Sequence, residues 1–201
     1  WVYCHNQSDV NYYKGLGCKD VRVMRSLMIT DGLVPRSEWG DATMVGGNMV
    51  SWYGGFDSYV VAREIGDPIS APSMGRKQEQ EDAIEDINYL SYMSWRDWIN
   101  CLSQYNIGVH LMRTHAAGTF SMNCGFHGIP CIGYEGLDTQ ELIHPMTTIK
   151  LGDLKSAVEV GRKLKDDKDF YDECSKKVSE NFDKHYTEKS WLKNWKDGYI
   201  F

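Results

Sequence analysis

Short apolar runs alternate along this chain with segments in which apolar residues recur at helical spacing. Ile107 to Met112 is one such run, as expected of a strand buried on both faces of a parallel sheet. Cys131 to Tyr134, Thr147 to Lys150 and the end of Ile69 to Met74 read the same way, and Tyr89 to Met93 predicts a further strand. Met44 to Tyr53 is apolar with Gly46-Gly47 inside it, and Gly54-Gly55 reads as the loop that follows. Between these runs, Ser58 to Ile65, Trp95 to Leu102, Thr119 to Phe126, Leu154 to Leu164 and Asp169 to His185 predict helices. The polar stretch Arg76 to Glu85 reads as a solvated helix. Strands alternating with helices imply a parallel sheet with right-handed crossovers, hence an α/β, Rossmann-like doubly wound domain.

The first 40 residues carry a smaller unit. Val2 to Cys4 and Val21 to Met24 predict strands around a helix from Asp9 to Leu16, which Gly17 closes. Residues 25 to 41 hold Asp31-Gly32, Pro35 and Gly40, turn chemistry with little periodicity, and read as a linker. The expected organisation is a remnant of one domain with its linker over 1–40 and a main domain over 41–201. The aromatics of Trp191 to Trp195 mark a terminal helix. Cys4, Val10, Leu16, Val21 and Val23 are too few to give the small unit its own core. It should therefore be mobile, dock irregularly on the main domain, or offer a surface for oligomerisation.

At 201 residues the chain can hold one domain and an added fragment, and its 42% hydrophobic and 25% charged content is ordinary for a globular protein. A net charge of −6 argues against a nucleic-acid partner, which would want a basic stripe. No apolar run approaches membrane-spanning length. The opening WVYCHNQSD carries no leader-like pattern and reads as the interior of a longer protein. Six cysteines without framework spacing suit a reduced, cytoplasmic protein.

Candidate chemistry concentrates between residues 107 and 140. A strand that feeds a helix N-terminus through small residues, here Ala116-Ala117-Gly118 with Thr119 as a candidate N-cap, is a recipe for holding phosphate. Backbone N–H groups point outward, the helix dipole favours negative charge, and small side chains permit close approach. Arg113 and His115 stand at the strand's carboxyl end, where open parallel sheets bind ligands. Asp138 and Gln140 follow the next strand in a polar loop, and their side chains suit hydroxyl recognition. Arg76-Lys77 offers a cation pair, though in so charged a segment a solvated face explains it as well. Among His110, His115, Cys124, His127 and Cys131, only Cys124 and His127 have the close spacing that zinc sites prefer, so no metal site is expected.

Taken in order, His115, Gly118, Asn123, His127-Gly128-Ile129-Pro130-Cys131-Ile132 and Asp138-Thr139-Gln140 resemble the donor-binding core of GT-B glycosyltransferases. The resemblance implies the C-terminal, Rossmann-like half of a GT-B fold preceded by a fragment of its partner domain. It implies transfer of a sugar from a nucleotide-sugar donor to an unknown acceptor, with no metal or other cofactor. His115 would be the catalytic residue. Arg113, Gly118, Thr119, Asn123, Asp138 and Gln140 would bind donor, joined by Gly54 and Gly55 in a loop that contacts phosphate or acceptor in many such proteins. Asn123 stands where the family usually places a ribose-binding carboxylate. The base that activates the acceptor would come from the other domain, so this chain alone should bind more than it catalyses. A nucleotide-sugar epimerase of the same architecture, or a binding module without catalysis, are the rival readings.

Overall fold

The computed structural model describes residues 1–72 and 79–199, and over them the expected alternation is realised. The small unit consists of β1 (Val2–Cys4), α1 (Asp9–Gly15) and β2 (Val21–Val23), with β1 and β2 paired in parallel. Gly17, at φ +91°, turns the chain after α1. Residues 24–41 cross to the main domain without a helix or strand. There follow β3 (Ala42–Val45), α2 (Gly55–Ile65), β4 (Ile69–Ala71), a 3-10 turn (Glu79–Ala83), β5 (Ile87–Tyr89) and α3 (Trp95–Leu102). The second half holds β6 (Tyr105–His110), α4 (Thr119–Phe126), β7 (Cys131–Tyr134), α5 (Asp138–Ile143), β8 (Thr148–Ile149), α6 (Leu154–Asp166), α7 (Lys168–His185) and α8 (Glu188–Tyr199).

The main sheet has the order β5-β4-β3-β6-β7-β8, and every pair in it is parallel. The chain builds outward from β3 to β5, then returns beside β3 and builds the other way from β6 to β8. That reversal makes the carboxyl ends of β3 and β6 a topological switch point, where helices leave to opposite faces and a crevice must open.

Strand periodicity divides the core. Along β6 and just beyond it, Ile107, Val109 and Leu111 join the cluster that α2 and α6 cover, with Val61, Ile65 and Ala157. The intervening positions face the other way: a Cβ on Gly108 would lie 2.8 Å from Cys124 Sγ of α4. On that second face Met44, Leu102, Phe120, Cys124 and Cys131 pack between the sheet and helices α3 and α4. A further cluster, with Met28, Ile99, Phe126, Val178, Phe182 and Tyr186, joins α4, α3 and α7 to the linker.

Four local expectations are corrected. The strand expected at Tyr89 to Met93 is earlier, at Ile87–Tyr89, where Ile87 pairs with Ile69 and is buried. Residues 91–93 leave the sheet and line the crevice, which is why Tyr92 and Met93 are apolar without being core. The apolar run after Ala42 is a strand only to Val45; residues 46–54 form a loop before α2. Asp138 and Gln140 lie in the first turn of α5 and not in a loop. The N-cap of α4 is Gly118 and not Thr119, because the cap position has left-handed geometry (φ 67°), which favours glycine. The end of the Ile69–Met74 run and the Arg76-Lys77 pair lie outside the described residues. Among the described residues no helix is long and apolar enough to cross a membrane.

The small unit does not dock irregularly. Asn6 donates to Ala116 O (3.0 Å) and accepts from Asp138 N (2.9 Å), while Asp138 accepts from Gln7 N (2.8 Å) and pairs with Arg25 (3.1 Å). Ser8 donates to Gly136 O at 3.0 Å. Arg36 then fastens the linker by donating to Tyr105 O, Gly128 O and Tyr171 Oη. The unit lacks a core of its own, as expected, and is held by polar contacts instead.

Candidate functional site

A crevice of about 850 Å³ opens at the switch point. Its floor is the end of β6 and the turn after β3. His110 ends β6 on the same face as Gly108, and Gly47 lies over its imidazole: a Cβ on Gly47 would be 3.3 Å from His110 Nε2. Phe120 meets the His110 ring edge to face at 5.2 Å. One wall is Leu27, Met28 and Ile29 of the linker, another is Ser91 to Met93, and Trp95, Arg96 and Trp98 extend from α3.

The first turn of α4 forms the remaining side, with Ala116, Ala117, Gly118 and Thr119 lining the space. Helical geometry leaves the first N–H groups of α4 without intrahelical partners, so its positive end opens toward the crevice. Small residues are required here for packing as well as access. A Cβ on Gly118 would fall 1.8 Å from Thr139 Oγ1 of α5, so this turn and α5 fit together only with glycine. Asn123 also lines the crevice. With its amide oriented to satisfy both neighbours, it accepts from Trp98 Nε1 at 3.0 Å and donates to Thr119 O at 3.2 Å, bracing α3 against α4.

Of the residues that the sequence marks, Gly118, Thr119 and Asn123 come together on the crevice. The rest lie nearby in other company. His115 is half exposed, its Nδ1 2.7 Å from Asp9 Oδ1 and 3.4 Å from Ser8 Oγ, and its ring lies against Gly136. It is thus turned onto α1, while the next two residues face the crevice. Arg113 is paired with Asp57 at 2.6 Å. Asp138 is the buried node that holds the small unit. Gln140 is buried, donates to Cys131 O at 2.8 Å, and lies over Gly133, where a Cβ would be 2.5 Å from its Oε1. Gly54 and Gly55 answer to packing: a Cβ would lie 1.8 Å from Leu111 O at the first and 2.1 Å from Asn48 O at the second.

Two of the histidines are structural. His127 accepts from Arg36 N at 3.1 Å and donates to Ile99 O at 2.8 Å, so both its nitrogens are used. His144 likewise accepts from Cys131 N (3.2 Å) and donates to Ser121 O (2.8 Å). Burial, the largest cause in each case, lowers both pKa values to about 4. The sequence reading missed His110, Gly47, Arg96 and the linker wall. A polar residue ending an apolar strand, opposite the glycine pair that follows another, was the available signal for the first two.

Neither a protein-family model nor a curated protein sequence matches the chain. Solved structures do. Over 98% of its length the chain superposes on sucrose-phosphate synthase from Thermosynechococcus elongatus, with a TM-score of 0.77 at 11% identity, covering 57% of that protein. Anabaena HepE, solved with UDP and glucose, gives 0.76 at 9% identity over 98% of this chain and 61% of that one. An S. aureus TarM variant, solved with fondaparinux, α-GlcNAc-glycerol and UDP, gives 0.76 at 11% identity over 98% of this chain and 43% of that one. The chain therefore spans about half the length of these neighbours. With its parallel six-stranded sheet and its crevice at the switch point, it has the fold of the Rossmann-like half of a GT-B glycosyltransferase.

Proposed function

We propose that this chain is the donor-binding half of a glycosyltransferase that uses a nucleotide-activated sugar. The observation that carries the reading is the crevice at the β3/β6 switch point, with the N-terminus of α4 opening into it. In glycosyl transfer the bond between the sugar's anomeric carbon and the diphosphate oxygen breaks, the acceptor oxygen forms the new bond and loses its proton, and negative charge collects on the departing diphosphate. A protein serves that step chiefly by placing fixed positive dipoles where the charge develops. The first turn of α4 meets the requirement through backbone groups, and the small residues before it leave room for an anion. UDP in the HepE and TarM structures supports the reading by analogy of fold. We assign the donor to the crevice side of Gly118, Thr119 and Asn123. His115 would reach a donor from the same loop after exchanging Asp9 for it. The base that activates the acceptor would be supplied outside this chain. Six unpaired thiols support a reducing compartment such as the cytoplasm.

A second reading, a nucleotide-binding module without catalysis, is favoured by two observations: His115 is held by Asp9, and the amide of Asn123 is used between Trp98 and Thr119. Calorimetry with UDP, ADP and GDP, followed by donor-hydrolysis and acceptor-transfer assays with and without a fused upstream domain, tests both. Binding of a nucleoside diphosphate with transfer only in the fused protein is expected. Binding without turnover in either form selects the second reading, and no binding of any nucleoside diphosphate overturns both.

A further inference from the structure

His110 is the group in the crevice that the fold itself leaves unexplained. It lies at the end of the central strand β6, only 8% exposed, and its Nε2 is buried without a hydrogen-bond partner. Among the described residues it is the one such orphaned side-chain atom on the crevice lining. The other two fully engaged buried histidines show what a structural role looks like here, each with both nitrogens satisfied. A buried polar atom left unpaired is destabilising, and on a crevice lining a bound ligand can complete it.

The surroundings define what that completion is. Nε2 lies covered beneath Gly47, which lines the crevice with a φ of 82° and no side chain, so a shift of that turn alone brings a ligand oxygen to it. The ring is held edge to face by Phe120, from the first turn of α4, so the imidazole and the helix N-terminus border the same space. Along the described lining there is no carboxylate, and its one guanidinium is that of Arg96. A helix N-terminus, an unpaired imidazole and a lining free of negative charge suit an anion and would repel nothing about it. Gly46 preserves the arrangement, since a Cβ there would sit 2.7 Å from Phe120 and 3.0 Å from the His110 ring.

We infer that His110 Nε2 donates a hydrogen bond to a phosphate oxygen of the nucleoside diphosphate held at the N-terminus of α4. The inference rests on the donor-binding reading above and adds to it a specific recognition residue. Burial holds the imidazole neutral at physiological pH, with its pKa lowered to about 4, so the bond is that of a neutral N–H to an anion. Such a bond draws the tautomer that carries its proton on Nε2.

The test compares UDP, inorganic pyrophosphate and uridine by calorimetry on the 201-residue chain and on two variants. His110→Phe keeps a ring against Phe120 but removes the donor. His110→Gln places an amide near the Nε2 position. UDP and pyrophosphate should weaken about tenfold or more in H110F, remain within about threefold in H110Q, and uridine should bind all three proteins alike. Unchanged UDP affinity in H110F, or equal losses for uridine, overturns the inference while leaving the donor-binding reading intact. Failure of the unaltered chain to bind UDP or pyrophosphate overturns both. Should H110F not fold, nitrogen-15 histidine spectra of the unaltered chain decide, with His110 identified by its absence in H110Q. Its Nε2 resonance must move when pyrophosphate is added, and a stationary resonance overturns the inference.

Discussion

Single residues carry two testable consequences. His110, His127 and His144 are buried neutral, with pKa values lowered to about 4 chiefly by loss of hydration. In the unfolded chain a histidine titrates at about 6.5. Between those values the unfolded chain binds protons that the folded chain refuses, so the histidines' contribution is complete above about pH 6.5 and is lost as pH falls toward 4. Each contributes at most about 1.4 kcal/mol per pH unit in that window. Urea midpoints should be flat from about pH 8 to 7 and fall distinctly by about pH 5; equal midpoints at all three would show that these histidines are hydrated. Gly118 is the second case. Gly118→Ala must displace Thr139 and strain a left-handed backbone, and should destabilise by about 2 kcal/mol or more. In a Thr139→Ala background the cost should shrink by about 1 kcal/mol, since the colliding oxygen is gone; strict additivity in the double-mutant cycle would contradict that contact. The glycine was visible in the sequence as an aid to phosphate approach. That α5 also demands it was not visible, because Thr139 stands 21 positions away and meets it only through the fold.

At the scale of elements, Asp138 is the charged node among the contacts that hold β1, α1 and β2 to the main domain. Asp138 accepts from Gln7 N and Arg25, and its own N–H reaches Asn6. Asp138→Ala should therefore weaken the protection of amides in residues 2–23 against hydrogen exchange. The expected change is about 1.5–3 kcal/mol of local opening energy, the scale of hydrogen bonds to a charged group, and β6 and β7 should keep their protection. Uniform loss across the sheet would mean that the unit and the domain unfold as one. Periodicity disclosed the strand–helix–strand character of this unit and the strand–helix–strand run of β6, α4 and β7. It misplaced β5, because the aromatic and apolar residues after Tyr89 line a crevice, and local hydrophobicity does not distinguish a crevice wall from a core.

The whole molecule depends on the return of its C-terminal helices to the linker. Tyr186 O accepts from Met28 N (3.0 Å), the Glu188 carboxylate accepts from Thr30 N (2.8 Å) and Oγ1 (3.0 Å), and Trp191 Nε1 donates to Arg25 O (3.0 Å). Met28 and Ile29, fixed in this way, form one wall of the crevice. Glu188→Ala should free that wall, speed proteolytic cleavage within residues 27–35, and weaken UDP binding severalfold, with little change in the urea midpoint of the sheet. Faster cleavage with unaltered UDP affinity would show that the linker wall takes no part in binding.

What the sequence determined alone was local: the alternation of strands and helices, the turn residues, and the run of small residues into α4. These follow from backbone propensity and side-chain period over a few residues. The tertiary structure decided which side chains face the crevice and which are consumed in holding it together. His115 and Asp138 are engaged by residues more than 100 positions away, while His110 reaches the floor because β6 presents alternate residues to α4. Such pairings depend on strand order, helix face and domain docking, each a long-range outcome of burying the whole apolar set at once, and no short stretch of sequence encodes them.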